Sequence, residues 1–177
     1  MTVLSCTEMA DSNPFLMSFD NQHGTPPFDK IKIEHYEPAF DEAIKQHNDE
    51  IEVIINNENA PTFENTILAM EHSGELMNKV SGVFFNLLSA ESNDEMMDIS
   101  QRISPKLSEH GNNINLNEDL FKRVKHVYDS RYDSNLTNEQ IRLVEKYYEG
   151  FENSGATLSK EDKEKYRELS LELSKAT

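Results

Sequence analysis

Cysteine, glycine and nucleophile motifs are scarce in this sequence, and each scarcity excludes a class of site. Cys6 is the single cysteine, so neither an intramolecular disulfide nor a paired-cysteine metal site can form. The six glycines are scattered singly, which leaves no glycine-rich loop to cradle phosphate. No G-x-S-x-G nucleophile motif occurs. The common phosphate-binding and nucleophilic sites are therefore not predicted.

Positive charge is also scarce. Lys and Arg number 17 against 33 Asp and Glu, which gives a formal net charge of -16. No basic run or basic face offsets this charge, so nucleic acid and anionic membranes are not expected as partners. No stretch approaches the roughly 20 apolar residues that span a bilayer, and no transmembrane segment is predicted. We interpret the acidic surface as an ordinary solvated surface that favours solubility, with attraction of cationic peptides as the alternative.

Six histidines are present, but their spacing does not predict a metal site. None begins an H-E-x-x-H motif, the pattern that places two imidazoles one helical turn apart on a zinc ion. Three Glu-His dipeptides occur, but neighbouring residues on a helix point about 100° apart and cannot share one ligand. His47 falls on the inner face of a predicted helix and is interpreted as a hydrogen-bonded core residue. We predict no catalytic residue and no metal ligand in this chain.

Apolar residues recur with a helical period along most of the chain, so the sequence predicts an all-α fold, an antiparallel bundle of about six helices. Residues 1–34 form an irregular leader, with 1–12 disordered and Phe15, Phe19 and Phe28 packed on the core. Residues 35–177 form the helical domain. The predicted helices begin near Pro38, Pro61, Asn93, Asn117, Thr137 and Ser159. Pro38 is a first-turn proline, Thr137 and Gln140 form a capping box, and Pro105 is expected to kink the third helix.

The second predicted helix carries the candidate site residues. Its apolar stripe runs without interruption from Phe63 to Leu88, with Gly74 and Ser81 as shallow spots that allow another helix to approach closely. Met70, Met77 and Phe84 lie on this stripe. We interpret them as a channel or packing face, since methionines at this spacing fill a core or line an adaptable peptide groove.

The last predicted helix keeps its apolar period at Tyr166, Leu169, Leu173 and Ala176 without any stop signal before Thr177. We therefore expect the helical domain to be truncated within this helix. Such a chain is expected to expose apolar surface and to associate or unfold broadly.

Ordered sequence blocks resemble one enzyme family over residues 13–177. They are N-P-F-L (13–16), H-Y-E-P-A-F-D-E (35–42), F-E-N-T-I-L-A-M-E-H-S-G-E-L (63–76), V-F-F-N-L (83–87), N-D-E (93–95), L-N-E-D-L-F-K-R-V (116–124), I-R-L-V-E (141–145) and G-A-T-L-S-K-E-D-K (155–163). Together these blocks resemble the N-terminal region of bacterial peptidyl-dipeptidases of the thimet-oligopeptidase family of zinc metallopeptidases. The oligopeptidase branch of the family is a poorer match.

The resemblance implies a large helical enzyme whose two lobes enclose a deep channel, so that only short peptides reach a zinc ion. Peptidyl-dipeptidases release dipeptides from the free C-terminus of their substrates. In this family H-E-x-x-H supplies two zinc ligands and a general base, far downstream of the blocks above, so no catalytic position can be transferred to this chain. The resemblance thus implies a part of one lobe that supplies channel wall and scaffold, is inert alone, and has the remainder of the parent peptidase as its partner.

Two further alternatives stay open. The alternative hypothesis for function is a stand-alone helical module that binds a peptide or a protein in a groove floored by Met70, Met77 and Phe84. The compartment is cytoplasmic, or periplasmic and lipid-anchored if V-L-S-C at residues 3–6 is the end of a lipoprotein signal with Cys6 as the lipid attachment site.

Overall fold

The structure is a computed structural model that describes residues 13–21 and 23–176, and this part of the chain contains helices and no strand. The six long helices are α1 (Tyr36–Ile55), α2 (Glu75–Ala90), α3 (Asp94–Asn115), α4 (Glu118–Asp129), α5 (Asn138–Asn153) and α6 (Lys160–Ala176). Shorter helical segments are Pro14–Leu16, Ile33–His35, Phe63–Leu68 and Ala69–Glu71. The predicted all-α class is confirmed. Cys6 and the tail predicted to be disordered lie outside the described residues.

Helix starts coincide with the capping residues that the sequence indicates. Thr137 accepts a hydrogen bond from the Gln140 amide at 3.3 Å, and the Gln140 side chain accepts one from the Thr137 amide at 2.9 Å. Asn117 caps α4 by accepting from the Leu120 amide at 2.9 Å. Ser159 accepts from the Asp162 amide at 3.1 Å at the start of α6. These contacts satisfy amides that a helix leaves without an internal partner.

The chain divides into two compact units. Unit 1 contains the described residues up to His47 together with Gly74–Ile103, and unit 2 contains Asn48–Ser73 together with the described residues from Ser104 onward. Each unit is therefore assembled from two separate stretches of chain, and α1 and α3 each contribute to both.

The core of unit 1 is aromatic. The Tyr36 and Phe84 ring centroids lie 5.0 Å apart, and Phe40 meets Phe84 edge to face at 5.6 Å. Phe15, from the leader, is fully buried and lies 5.3 Å from Tyr36. Edge-to-face packing suits the ring quadrupoles and adds to the burial of apolar area.

The leader is fixed on unit 1 by Lys79 of α2. Its ammonium group donates hydrogen bonds to the carbonyl oxygens of Phe15 at 3.1 Å and Met17 at 2.8 Å, and lies 4.4 Å from the Phe19 ring centroid. The prediction that Phe28 also packs on the core is wrong, because 56% of its surface is exposed. Phe28 lies in a turn after Pro26 and Pro27, where local backbone hydrogen bonds set the chain direction.

Unit 2 has a mixed core of aliphatic and aromatic residues. α4 and α5 pack together and cover the helical segment that begins at Phe63. The buried core residues are Ile51, Ile54, Phe63, Ile67, Leu120, Val124, Val127, Val144, Phe151 and Ala156. Leu120, Val124 and Val127 recur at spacings of four and three residues, so they form the buried face of α4.

The predicted continuous helix from Phe63 to Leu88 is wrong. Residues Phe63–Leu68 are π-helical, Ala69–Glu71 complete one α-turn, and the chain then turns at Gly74 before α2 begins at Glu75. Gly74 has φ of 71°, the left-handed region that favours glycine. A Cβ at Gly74 would lie 3.0 Å from the His47 ring. Gly74 is therefore a helix break that accommodates His47, rather than a shallow spot on a helix.

Candidate functional site

An acidic concavity in unit 1 is the candidate binding site of the described residues. It has a volume of about 800 Å³ and lies between the first half of α1 and the first half of α3. Its lining includes six carboxylates and two cations, namely Glu34, Glu37, Asp41, Glu42, Glu95, Asp98, Lys45 and Arg102. Spacings of three and four residues place these side chains on one face of each helix.

One ion pair joins the two walls of the concavity. Arg102 Nε of α3 donates to Glu37 Oε2 of α1 at 3.1 Å, with Arg102 about half exposed. An exposed pair of this kind contributes little to stability, on the order of 0–1 kcal/mol. Carboxylates remain in excess, so the concavity attracts cations, and salt screens that attraction.

The described residues do not fit a zinc ion. They contain no group of three or more His, Cys, Asp or Glu side chains placed to hold a metal. His110, which is buried, has its Nδ1 3.0 Å from Asn48 Oδ1, and His47 is half-buried against Gly74. We therefore interpret both imidazoles as side chains that contribute to packing.

The predicted site residues Met70, Met77 and Phe84 fall in different parts of the structure. Met70 is half-buried at the edge of the unit 2 core, whereas Met77 and Phe84 belong to α2 in unit 1. Met77 is half-buried and Phe84 is fully buried within the aromatic core. Their role as a channel face stays a prediction.

Arg123 is the main structural side chain that the sequence interpretation missed. Only 8% of its surface is exposed. Its guanidinium donates to the Asn57 carbonyl at 2.9 Å and to Asn65 Oδ1 at 3.1 Å, and burial lowers its pKa. One sequence signal was present: Arg123 lies three residues after Leu120 and four before Val127, on the inner stripe of α4.

Two tyrosines of α5 make hydrogen bonds to carboxylates within unit 2. Tyr147 donates to Glu71 Oε1 at 2.6 Å, and burial together with this carboxylate raises the pKa of the Tyr147 phenol. Tyr148 donates to Glu152 Oε1 at 2.8 Å, and that hydrogen bond raises the pKa of Tyr148 to about 12. Both contacts favour the protonated form of the phenol.

Sequence comparison links this chain to peptidases. It is 42% identical over 169 residues to dipeptidyl carboxypeptidase of Escherichia coli strain K12, covering 96% of this chain and 25% of that protein. It is 41% identical to dipeptidyl carboxypeptidase of Salmonella typhimurium, covering 91% of this chain and 24% of that protein. The predicted relationship to the thimet-oligopeptidase family is confirmed.

The oligopeptidase branch is more distant, as predicted. Oligopeptidase A of Escherichia coli strain K12 is 26% identical over 163 residues, covering 92% of this chain and 23% of that protein. The chain thus spans about a quarter of the length of the curated relatives it matches. No family model matches the chain. Among the described residues, no helix is long and apolar enough to cross a membrane.

Proposed function

We propose that this chain forms the N-terminal helical part of a zinc-dependent peptidyl-dipeptidase that releases C-terminal dipeptides from short peptides. In this proposal the chain serves as channel wall and scaffold, it is inert alone, and the remainder of the parent enzyme holds the zinc. The observation that carries the proposal is the 42% identity to a dipeptidyl carboxypeptidase over 96% of this chain but 25% of that protein.

The acidic concavity supports a role as channel wall. A surface with excess carboxylates attracts the ammonium and guanidinium groups of short peptides. Its described residues provide no metal cluster to activate water. Electrostatic attraction of peptide cations suits a wall that concentrates or guides peptides.

A fusion protein tests this function. This chain replaces the aligned region of the Escherichia coli dipeptidyl carboxypeptidase, and dipeptide release from an N-terminally blocked peptide is measured with and without a zinc chelator. We expect chelator-sensitive release by the fusion. The unaltered enzyme is the positive control, and the enzyme without its aligned region is the negative control. A folded fusion without activity contradicts the proposal.

The isolated chain provides a second arm of the test. Incubated with zinc and the same blocked peptide, it is expected to release no dipeptide, because no group of described residues is placed to hold the metal. Dipeptide release by the purified chain at a rate above the zinc-only blank contradicts the scaffold role.

A stand-alone binding module is the alternative function, and the concavity is the observation that favours it. A volume of about 800 Å³ lies in the range of small-ligand sites, roughly 300–1,000 Å³. Calorimetry of the isolated chain with a short Lys- and Arg-rich peptide discriminates the two functions. Micromolar binding that persists at 150 mM salt supports a module, whereas binding lost at that salt supports a wall whose attraction is purely electrostatic.

A further inference from the structure

Helix α6 packs on the rest of unit 2 with polar side chains. Lys163 is 7% exposed and its ammonium lies 3.2 Å from Glu118 Oε1. Arg167 donates to Asn113 Oδ1 at 2.8 Å. The Ser170 carbonyl accepts a hydrogen bond from the Ser108 hydroxyl at 3.3 Å. Spacings of four and three residues place positions 163, 167 and 170 on one stripe of α6, which is the stripe that faces unit 2.

A second stripe of α6 is apolar and faces outward. Tyr166, Leu169 and Leu173 are 37%, 57% and 66% exposed. Their spacings of three and four residues place them on one face, roughly 100° around the helix from the polar stripe. We call these three residues the α6 apolar face. An amphipathic helix on a globular unit normally turns its apolar stripe inward, so the orientation of α6 is reversed.

We propose that the α6 apolar face docks against an apolar surface in the part of the parent peptidase that this chain does not span. This inference rests on the proposed function. The curated relatives are about four times as long as the matched region, so most of such an enzyme remains available to cover the face. A contiguous apolar face rimmed by charged residues is typical of an interaction site.

A second copy of the chain is a less suitable occupant. A stable interface between separate proteins uses about 20–30 residues on each side, and the α6 apolar face offers three. Each copy also carries a net charge of -16, which opposes self-association. Docking within one polypeptide needs fewer contacts, because the covalent connection supplies a high effective concentration.

Site-specific labelling in the fusion described above tests the docking. Leu169→Cys and its exposed neighbour Glu168→Cys are each introduced with Cys6→Ser, and labelling by a thiol reagent is followed by peptide mass spectrometry. In the isolated chain we expect similar labelling rates at both positions. In the fusion the rate at position 169 relative to position 168 is expected to fall about tenfold, because the face becomes accessible only through local opening.

The outcomes separate the docking from the proposed function. If the fusion is catalytically active but its ratio of labelling rates at positions 169 and 168 equals that of the isolated chain, the docking alone is overturned. A reduced ratio in an inactive fusion supports the docking while contradicting the proposed function. If the ratio in the isolated chain falls as its concentration rises, a second copy covers the face and the inference is overturned.

A measurement on the isolated chain keeps the inference testable if the fusion does not fold. Leu169→Glu is expected to shift the urea midpoint by less than about 0.2 M, since substitutions at exposed positions change stability little. A shift as large as that of a core substitution such as Val144→Ala overturns the inference, because unit 2 would then already bury Leu169.

Discussion

Arg123 connects α4 to the chain that follows α1, and it does so from a nearly buried position. Its guanidinium donates to the Asn57 carbonyl at 2.9 Å and to Asn65 Oδ1 at 3.1 Å, and a longer contact of 3.5 Å reaches the Asn59 carbonyl. The planar guanidinium can serve these acceptors together, whereas an ammonium group is a single point charge. The residue thus fixes the loop that precedes the π-helical segment.

Substitution of Arg123 by Met is expected to lower the free energy of unfolding by about 1.5–3 kcal/mol, because the partly buried acceptors of Asn57 and Asn65 lose hydrogen bonds from a charged donor. Arg123→Lys is expected to recover less than half of this loss. Urea unfolding followed by circular dichroism measures both effects. The matched control is Arg142→Met, whose ion pairs with Glu145 and Glu149 are exposed and whose change is expected below about 0.5 kcal/mol. Equal losses of unfolding free energy for Arg123→Met and Arg142→Met would contradict the structural role assigned to Arg123.

The two tyrosines that donate to carboxylates make stability fall at alkaline pH. Folding raises the pKa of Tyr148 from 10.0 to about 12 and raises that of Tyr147 as well. The folded state therefore retains these protons longer than the unfolded state, and the associated stabilisation is complete below pH 10 and lost as pH rises toward 12.

We expect urea midpoints of the native chain to decrease between pH 10 and 12, and the double variant Tyr147→Phe, Tyr148→Phe to decrease less. Absorbance at 295 nm should show the phenols of the folded native chain ionising at higher pH than those of the urea-unfolded chain. Identical pH slopes for the native chain and the double variant argue against the two hydrogen bonds.

At the scale of elements, the break before α2 depends on one glycine. Gly74→Ala places a side chain at φ of 71° and 3.0 Å from the His47 ring, and is expected to destabilise the chain by about 1–3 kcal/mol. Gly82→Ala, in the interior of α2 with no atom near its added Cβ, is expected to stabilise by about 0.5–1 kcal/mol. Thermal unfolding of both variants checks the opposite signs. Stabilisation by Gly74→Ala would show that the helix can run continuously through position 74.

Helix starts were predictable because their signals are local. Thr137 and Gln140 lie three residues apart and satisfy each other's amides, so a short window of sequence contains the whole interaction. The break at Gly74 was not predictable in this way, because the apolar period continues across it. The His47 ring, against which the Gly74 backbone packs, lies 27 residues away along the chain.

The same distinction applies to the candidate site. Arg123 bonds to residues 58 to 66 positions away, and the sequence alone does not show that these partners meet. The acidic concavity forms where α1 lies beside α3. In the sequence, each of its carboxylates is indistinguishable from a residue on an ordinary solvated helix surface. The family relationship was recognisable because ordered blocks of residues identify ancestry without requiring the contacts to be known.

At the scale of the whole molecule, negative charge is the dominant electrostatic feature. The net charge is -16, and the concavity of unit 1 has more carboxylates than cations. Folding brings these charges closer than they are in the expanded unfolded chain, and their repulsion opposes the compact state. Raising the ionic strength from 0.01 M to 0.15 M shortens the Debye length from about 30 Å to about 8 Å and weakens this repulsion.

We therefore expect the free energy of unfolding to rise by about 1 kcal/mol between 10 mM and 150 mM NaCl, with urea midpoints as the measurement. Asp41→Asn with Asp98→Asn removes two charges that line the concavity and is expected to reduce this salt increment. Glu164→Gln with Glu168→Gln changes the net charge equally on the exposed surface of α6 and is expected to reduce it less. Equal reductions by the two pairs would mean that total charge, rather than its concentration in the concavity, determines the salt response.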